Sequence, residues 1–350
     1  MEQQPTQATV GGSRQAEKAF GEPDNTWQIF QDEFNNILGS EPSIELLVQI
    51  DEFPFAHEAG IFLPEKNELF ITSNQFKNHA GEKIVQISKI SLGDDSRPVK
   101  LEKIECDLVH MANGGVNYQD GILICAQGSA THPSGLFKLQ TTYPYKAEPF
   151  IASYMGRPFN SVNDVVVHGD GSIWFTDPSY GHDQGYRPKP SLPNAVYRYD
   201  PATKSVRAVA DGLGRPNGSC FSPDYSTVYV TDTDQVHGQS VDYSRAASIY
   251  AFDVIQHHGQ PFLANRRLFA LTDTGIPDGI KCDTLGNVYS GCGDGTNVWS
   301  PGGVLIGKII IPGGVANFCF GSKGQLFALN EHRLWRVQLD RCVKGALLEG

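Results

Sequence analysis

The chain has 350 residues, of which 40% are hydrophobic and 19% are charged, and its formal net charge is −11. This acidic balance, without any run of clustered Lys and Arg, argues against nucleic acid as a partner. No stretch approaches about 18 uninterrupted apolar residues, so the sequence predicts neither a transmembrane helix nor a membrane partner.

The N-terminal region divides into a polar tail and two predicted elements. Residues 1–25 lack the apolar core of a signal peptide, so we expect a disordered tail there, a single domain at 26–350 and a cytoplasmic protein. The apolar spacing from Trp27 to Leu38 predicts a helix, and SIELLVQID from Ser43 predicts a strand that closes the last structural repeat. The seven cysteines include no CxxC pair, which favours buried free thiols over a zinc or disulfide framework.

Six segments in the rest of the chain share one pattern. Each has an acidic or amide residue, a short apolar run, a turn about seven residues later, and a β-branched or aromatic run. The leading residues are Glu58, Asn113, Asn163, Asn217, Asp278 and Asn317. Alternating runs such as Ala195 to Asp200 and Arg333 to Leu339 supply further strands, and the repeat length is close to the roughly 40 to 50 residues of a propeller blade. The sequence therefore predicts an all-β fold, a six-bladed β-propeller with four-stranded antiparallel blades around a central channel.

The six leading residues are expected to meet around the channel, because the first strand of each blade lines it. All six side chains offer oxygen acceptors, and none is a thiol or an imidazole. Such a set suits a hard cation, and Ca²⁺ takes six to eight oxygen ligands. Another divalent cation such as Zn²⁺, Mg²⁺ or Mn²⁺ remains open. The alternative is that these are ordinary turn residues, but six in the same phase, each ahead of an apolar strand, favour the metal.

At these residues the sequence resembles the senescence marker protein/gluconolactonase family of calcium-dependent lactonases, which includes regucalcin, and most closely its fungal lactonohydrolases that act on aldonolactones or pantolactone. The matching segments share their order and spacing with the family and extend from about residue 28 to the C-terminus; they include PFAHEAG (54–60), GRPFNSVNDV (156–165), FTDPSYG (175–181), RPNGSCFSPD (215–224), IPDGI (276–280) and CGDGTNVWSPGGVLIGKI (292–309).

The resemblance implies a role for each site residue. Glu58, Asn163, Asn217 and Asp278 would hold the metal, Asn113 would lie near a small lactone substrate, and Asp278 would also act as the base. Some relatives carry an Arg at the position of Ser161 to grip a sugar oxygen, so the departure here puts a preference for gluconolactone in doubt. In lactone hydrolysis a cation can polarise the ring carbonyl while a carboxylate takes the proton of the attacking water.

Other residues have two interpretations each. His57 and His110 are alternative proton carriers, although strand alternation places His57 on the face opposite Glu58 and favours a packed side chain. Tyr180 and Trp299 either line the channel mouth or pack between blades. We assign Tyr180 to substrate binding on that first interpretation, and Asn317 because its amide, like that of Asn113, offers a donor and an acceptor to ring hydroxyl groups. Two further residues, Asp177 and Asp232, are expected to fix turns.

Two other functions stay open: a biosynthetic propeller enzyme that uses the same site for another reaction, and a non-enzymatic interaction propeller. The second lacks its Trp-Asp signature, and interaction propellers have no need of a ring of carboxylates and amides. The sequence predicts no particular oligomeric state.

Overall fold

Six antiparallel sheets, each beginning with one of the predicted innermost strands, make up the fold. The computed structural model describes residues 26–93, 98–238 and 240–346, so the tail expected at 1–25 lies outside the described residues. We number the sheets as blades 1 to 6 and give the strands of each from the channel outwards. Blade 1 contains Glu58–Leu63, Glu68–Thr72, Ile87–Ser91 and Lys100–Ile104. Blade 2 contains Ala112–Tyr118, Gly121–Ala126, Gly135–Gln140 and Ala147–Ile151. Blade 3 contains Val165–Val167, Ile173–Asp177, Ala195–Asp200 and Ser205–Ala210.

The second half of the chain forms the other three blades. Blade 4 contains Pro216–Phe221, Thr227–Asp232, Ser248–His257 and Gln260–Leu271. Blade 5 contains Ile280–Cys282, Val288–Cys292, Gly295–Trp299, Leu305–Ile310 and a fifth strand, Trp27–Ile29. Blade 6 contains Asn317–Phe320, Gln325–Asn330, Arg333–Gln338 and Ser43–Gln49. The six-bladed β-propeller is therefore confirmed.

The ring is closed by strands from opposite ends of the chain. Ser43–Gln49 pairs with Arg333–Gln338, from Ser43 opposite Gln338 to Gln49 opposite Arg333. The innermost strands of successive blades contact one another around a complete circuit, including those of blades 6 and 1. The prediction that the segment from Ser43 closes the last blade is confirmed.

The helix predicted from Trp27 to Leu38 is wrong in its first part. Trp27–Ile29 is a strand that pairs with the outer edge of blade 5, with Trp27 opposite Ile309, and only Phe34–Leu38 is helical. The open edge of blade 5 offers hydrogen-bonding partners to the backbone groups of this segment. This pairing outweighs the weak tendency of a short isolated segment to form a helix. Phe34 packs where Gly307 lacks a side chain, so the apolar spacing reflects packing on blade 5.

Between the blades lie apolar side chains, and the innermost strands are buried along most of their length. Every residue of Glu58–Leu63 and of Pro216–Phe221 is buried, which explains why these strands appear as nearly continuous apolar runs. All six predicted turn positions lie in turns: Glu65, Asp120, Asp170, Asp224, Leu285 and Lys323.

Shorter elements complete the fold. Three two-stranded hairpins are formed by Phe76–Lys77 with Lys83–Ile84, Ser153–Tyr154 with Arg157–Pro158, and Val236–His237 with Ser240–Val241. A short helix, Tyr180–Asp183, lies between the second and third strands of blade 3. Among the described residues, no helix has the length and apolar character needed to cross a bilayer. The seven cysteines are free, and five of them are buried.

Candidate metal centre and active site

The six leading residues lie at one end of the channel. Glu58, Asn113, Asn217 and Asn317 occupy the first or second position of their innermost strands. The other two, Asn163 and Asp278, come two residues before the innermost strands of blades 3 and 5. The structure therefore places one leading residue of every blade at the same level of the propeller.

A repeated threonine contact fixes three of these residues. In each case a buried Thr near the end of the second strand of one blade donates a hydrogen bond from its Oγ1 to the backbone carbonyl of the leading residue in the next blade. The three pairs are Thr72 with Asn113 at 3.1 Å, Thr176 with Asn217 at 2.7 Å, and Thr231 with Asp278 at 2.9 Å. Each contact sets the height of a leading residue relative to its neighbouring blade. These hydrogen bonds were not identified from the sequence. Their signal in the sequence is the Thr that ends an apolar run, as in IT, FT and VT.

The carboxyl groups of Glu58, which is buried, and Asp278, which is half-buried, form the centre of the site. Oxygen atoms of Glu58 and Asp278 lie with a ring nitrogen of His57 in a group whose atoms are all within 4.8 Å of one another. Asn317 Nδ2 donates to Glu58 Oε2 at 2.7 Å, and Asn217 Nδ2 donates to Asp278 Oδ1 at 2.6 Å. Burial raises the pKa of both carboxyl groups, and the charge of Asp278 raises the pKa of Glu58 further. Two such groups favour a cation between them, because a shared positive charge removes the cost of ionising both.

His57 belongs to this centre, so its predicted placement on the opposite face is wrong. Residues 59 and 60 both have positive φ, of 69° and 67°, and the pairing with the second strand shifts register between Glu58 and Ile61. The strand is thus irregular from its start, and His57 precedes it, so the alternation on which the prediction rested does not extend to His57. His57 Nδ1 lies 2.7 Å from Glu331 Oε1, and Asn74 Nδ2 contacts both Glu331 oxygens at 3.3 and 3.2 Å. Burial lowers the pKa of His57, but the charges and hydrogen bond around it, chiefly those of Glu331, outweigh that effect and raise it to about 10.

Two amide oxygens at the same level have no protein partner. Asn113 Oδ1 and Asn163 Oδ1 are buried and make no hydrogen bond within the described part of the chain. The two residues are neighbours, since Gly114 N donates to the backbone oxygen of Asn163 at 2.8 Å. A buried carbonyl-type oxygen without a donor is uncommon, and a bound cation or a ligand would satisfy it. Carboxyl oxygens such as those of Glu58 and Asp278, and amide oxygens such as that of Asn163, are the ligand types that suit a hard divalent cation.

The predicted substrate residues differ in their surroundings. Tyr180 borders the centre, because Asn217 Nδ2 lies 3.3 Å from its hydroxyl group, which also hydrogen-bonds Thr233. Asn317 uses both polar atoms within the protein, since its Oδ1 accepts from Phe318 N at 2.8 Å while its Nδ2 holds Glu58. In this structure Asn317 therefore orients Glu58, whereas Asn113 keeps a free oxygen.

The segment around Tyr180 is held over this end of the propeller by Arg187. Its guanidinium group donates to the backbone oxygens of four residues at 2.7 to 2.9 Å: Ser129, His132, Phe159 and Asn160. Binding four backbone carbonyl groups with one rigid fork is a contact that Lys could not reproduce. Sequence reasoning did not identify Arg187.

The remaining predicted residues have structural roles. Asp177 accepts from the backbone N–H groups of Asn160 and Ser161 at 2.9 and 2.7 Å. Asp232 accepts from the backbone N–H groups of residues 214 and 215 in the same way, so the prediction that both aspartates fix turns is confirmed. Trp299 packs in the apolar cluster between blades 4 and 5. The ring of His110 stacks on that of His132, with centroids 3.4 Å apart.

The sequence and the fold match known proteins. The family model described as SMP-30/Gluconolactonase/LRE-like region matches residues 103–328. Lactonohydrolase oryL of Aspergillus oryzae is 29% identical over 324 residues, which is 86% of this chain and 71% of that protein. The gluconolactonase of Zymomonas mobilis is 33% identical over 200 residues, which is 54% of this chain and 53% of that protein. The solved structure of a gluconolactonase from Xanthomonas campestris has a TM-score of 0.68 and 26% identity, and the match covers 89% of this chain and 94% of that one. Since the family model covers well over half of the sequence, the chain belongs to the SMP-30/gluconolactonase/LRE-like family.

Proposed function

We propose that the protein is a calcium-dependent lactonase that hydrolyses a small hydroxylated lactone to its hydroxy acid. The relatives named lactonohydrolase and gluconolactonase support the reaction class. The observation that carries the proposal is the pairing of the Glu58 and Asp278 carboxyl groups at a channel end where Asn113 and Asn163 present unpartnered amide oxygens.

The metal would be held by residues from four blades: Glu58, Asn163, Asn217 and Asp278. Carboxylate and amide oxygens in this proportion are the ligands that Ca²⁺ prefers, and a flexible coordination number suits a site assembled from separate blades. A bound divalent cation supplies Lewis acidity to a carbonyl oxygen and orients the substrate.

Asp278 is the residue to which we assign proton transfer. Its carboxylate would take a proton from the water whose oxygen forms a bond to the lactone carbonyl carbon. When the ring C–O bond breaks, the same group would return that proton to the departing ring oxygen, so one water is added and no proton is lost. His57, held by Glu331, provides a positive charge beside Asp278.

Asn113 and Tyr180 are the groups we assign to the substrate. An amide oxygen and a phenol together offer acceptors and a donor to ring hydroxyl groups. Ser161 takes no part, because it is fully buried, its backbone N–H donates to Asp177, and its Oγ accepts from Gly181 N at 2.8 Å. The residue at this position therefore cannot grip a sugar oxygen, which favours a substrate other than gluconolactone itself.

A panel of lactones assayed after chelation, with and without added Ca²⁺, tests the function. The panel should contain hydroxylated five- and six-membered lactones, an unhydroxylated lactone and a linear ester. We expect hydrolysis of the hydroxylated lactones only when Ca²⁺ is present. Full activity in exhaustively demetallated protein would contradict the role of the metal, and equal rates on the linear ester would contradict the substrate class.

A further inference from the structure

A cavity lies at the end of the channel opposite the candidate metal centre. It has a volume of about 810 Å³ and is lined by residues from all six blades. Its walls come from the far ends of the innermost strands and from the turns after them, including Leu63, Tyr118, His168 and Phe320. None of the six leading residues lines it. The cavity is therefore separate from the candidate metal centre, and its volume is within the range of about 300 to 1,000 Å³ that is usual for small-molecule sites.

Lys281 brings a positive charge to this cavity. It is the middle residue of the strand Ile280–Cys282, and its two neighbours are buried in the apolar cluster between blades 4 and 5. Strand alternation therefore turns Lys281 toward the channel, where it lines the cavity and is half-buried. Across residues 26–93, 98–238 and 240–346 it makes no hydrogen bond and no ion pair.

Two groups near the channel lie close enough to Lys281 for its charge to affect their pKa values. Burial raises the pKa of Asp164 and that of the Cys319 thiol, and in each case the charge of Lys281 opposes the increase. Cys319 itself lines the cavity. Asp164 and Lys281 form no ion pair among the described residues, and Asp164 Oδ2 accepts from Ser219 N at 2.8 Å.

Most other charged groups of the cavity already have partners. Asp120 pairs with Lys138 at 2.8 Å, and Asp170 pairs with His168 at 2.9 Å. Lys66 donates to Thr141 Oγ1 at 2.8 Å. Lys66 and Lys281 are therefore the lysines of the cavity without a carboxylate partner among the described residues, and of the two only Lys281 also lacks a hydrogen bond. An ammonium group that faces the cavity without a protein partner can form a charge-assisted hydrogen bond to a bound anion.

We propose that this distal cavity binds a small organic carboxylate, with Lys281 as its charge partner. Tyr118 and Tyr225, both half-buried, line the cavity and supply aromatic surface for the body of the ligand. One ammonium group matches a single negative charge. Phosphate would call for several donors converging on its oxygens, such as an arginine fork, which favours the carboxylate.

Calorimetric titration of the full-length protein with benzoate tests the proposal. We expect saturable binding to the wild type and a loss of about tenfold or more in affinity for Lys281→Met, since a charge-assisted hydrogen bond contributes at least about that factor. Lys281→Arg should retain most of the affinity, and Lys100→Met, which removes an exposed lysine on blade 1 outside the cavity, should bind like the wild type. Benzyl alcohol, which has the same body without the charge, and inorganic phosphate should both bind weakly.

Two further measurements keep the two channel ends apart. Benzoate should bind to Asp278→Asn, and to the wild type in excess chelator, as tightly as it binds to the untreated wild type. Neither the substitution nor the removal of metal changes the distal cavity. In NMR spectra of the wild type, the ligand should perturb His168 and Tyr225 and leave His57 and Tyr180 unchanged, a result that does not depend on any variant folding. Unchanged affinity in Lys281→Met, phosphate binding as tight as benzoate binding, or perturbation confined to His57 and Tyr180 would overturn the proposal.

Discussion

Asp278 carries two roles at the candidate centre, as a metal ligand and as the group that moves a proton, and one substitution separates them. Asp278→Asn keeps the size of the side chain and one oxygen ligand while it removes a negative charge and the basic site. Calcium affinity should weaken, yet saturating calcium should still bind through Glu58, Asn163 and Asn217. Turnover should remain about 10² to 10⁴-fold below the wild type, the range expected for the loss of a general base.

The matched control is Asp211→Asn, which removes an exposed carboxylate outside the centre and should leave turnover unchanged. Activity is measured on a hydroxylated lactone over a calcium titration that extends beyond saturation. If excess calcium restores the full rate to Asp278→Asn, then Asp278 is a ligand only, and the proton is carried by His57 or by water.

The six leading residues could be predicted from the sequence, because one residue per repeat in a fixed phase must meet its counterparts when the blades form a ring. His57 could not be placed correctly, since it lies one residue before the innermost strand of blade 1, where the alternation of a regular strand does not hold, and that strand boundary is invisible in the sequence. Glu331 could not be found either. It lies one residue beyond a second strand in blade 6 and reaches His57 only because blades 6 and 1 are neighbours in the closed ring.

At the scale of an element, the threonine contacts join the second strand of one blade to the leading residue of the next. Thr231 Oγ1 donates to the backbone oxygen of Asp278 and accepts from Gly218 N at 2.7 Å. Thr231→Val preserves the shape of the side chain and leaves both backbone groups unpaired in a buried place. The free energy of unfolding should fall by about 1 to 3 kcal/mol. Calcium affinity should also fall, because Asp278 loses the contact that fixes its height.

Urea unfolding and calorimetric calcium titration measure the two effects of this substitution. Thr203→Val, on an exposed turn of blade 3, is the control and should change neither quantity. Unchanged stability and affinity in Thr231→Val would show that the contact does not position Asp278.

The turn between the first two strands of blade 3 gives a pH-dependent prediction. Burial alone would raise the pKa of Asp170, but hydrogen bonds from Ser172 and His168 lower it to about 2. Because the pKa is about 3.8 in the unfolded chain, the stabilisation by this carboxylate is fully present above that value and is lost as the pH falls toward 2. Asp170→Asn should therefore be less stable than the wild type at pH 7, and the difference should shrink below pH 4.

Thermal unfolding in the presence of chelator, at several values between pH 7 and pH 3, measures this difference without a contribution from metal release. Asp211→Asn serves again as the comparison, since it should track the wild type throughout. A difference between Asp170→Asn and the wild type that stays constant with pH would show that the turn does not depend on the charge of Asp170.

The strands of the blades were easier to predict than the structure of the N-terminal segment. The innermost strands are buried on both faces and therefore appear as apolar runs before a turn, which is a strong local signal. Trp27 to Leu38 has apolar residues at helical spacing, yet three of its residues form an edge strand, because the open edge of blade 5 exists only after the whole chain has folded. Information that arises from the assembled ring is absent from the local pattern.

For the whole molecule, the channel connects two chemically different ends, and the candidate metal centre joins distant parts of the chain. Glu58, Asn163, Asn217 and Asp278 belong to blades 1, 3, 4 and 5, so a cation bound to them links four blades whose innermost strands otherwise meet through packing and backbone contacts. The two carboxyl groups, whose pKa values burial raises, would repel each other without it. Metal binding should therefore be coupled to the stability of the entire ring.

Chelation should accordingly lower the thermal stability of the protein, and calcium should restore it. A ligand bound only by the folded state adds RT ln(1 + [L]/Kd), which is about 2.7 kcal/mol at a hundredfold excess over Kd. Unfolding followed by circular dichroism over a calcium titration, starting from chelator-treated protein, measures this gain. In the doubly substituted Glu58→Gln, Asp278→Asn protein the calcium-dependent part should disappear, because both charged ligands are gone, while Asp211→Asn should show the same gain as the wild type. A midpoint that is identical in chelator and in excess calcium would mean that no metal links these blades, and the four residues would then have to be explained by hydrogen bonding alone.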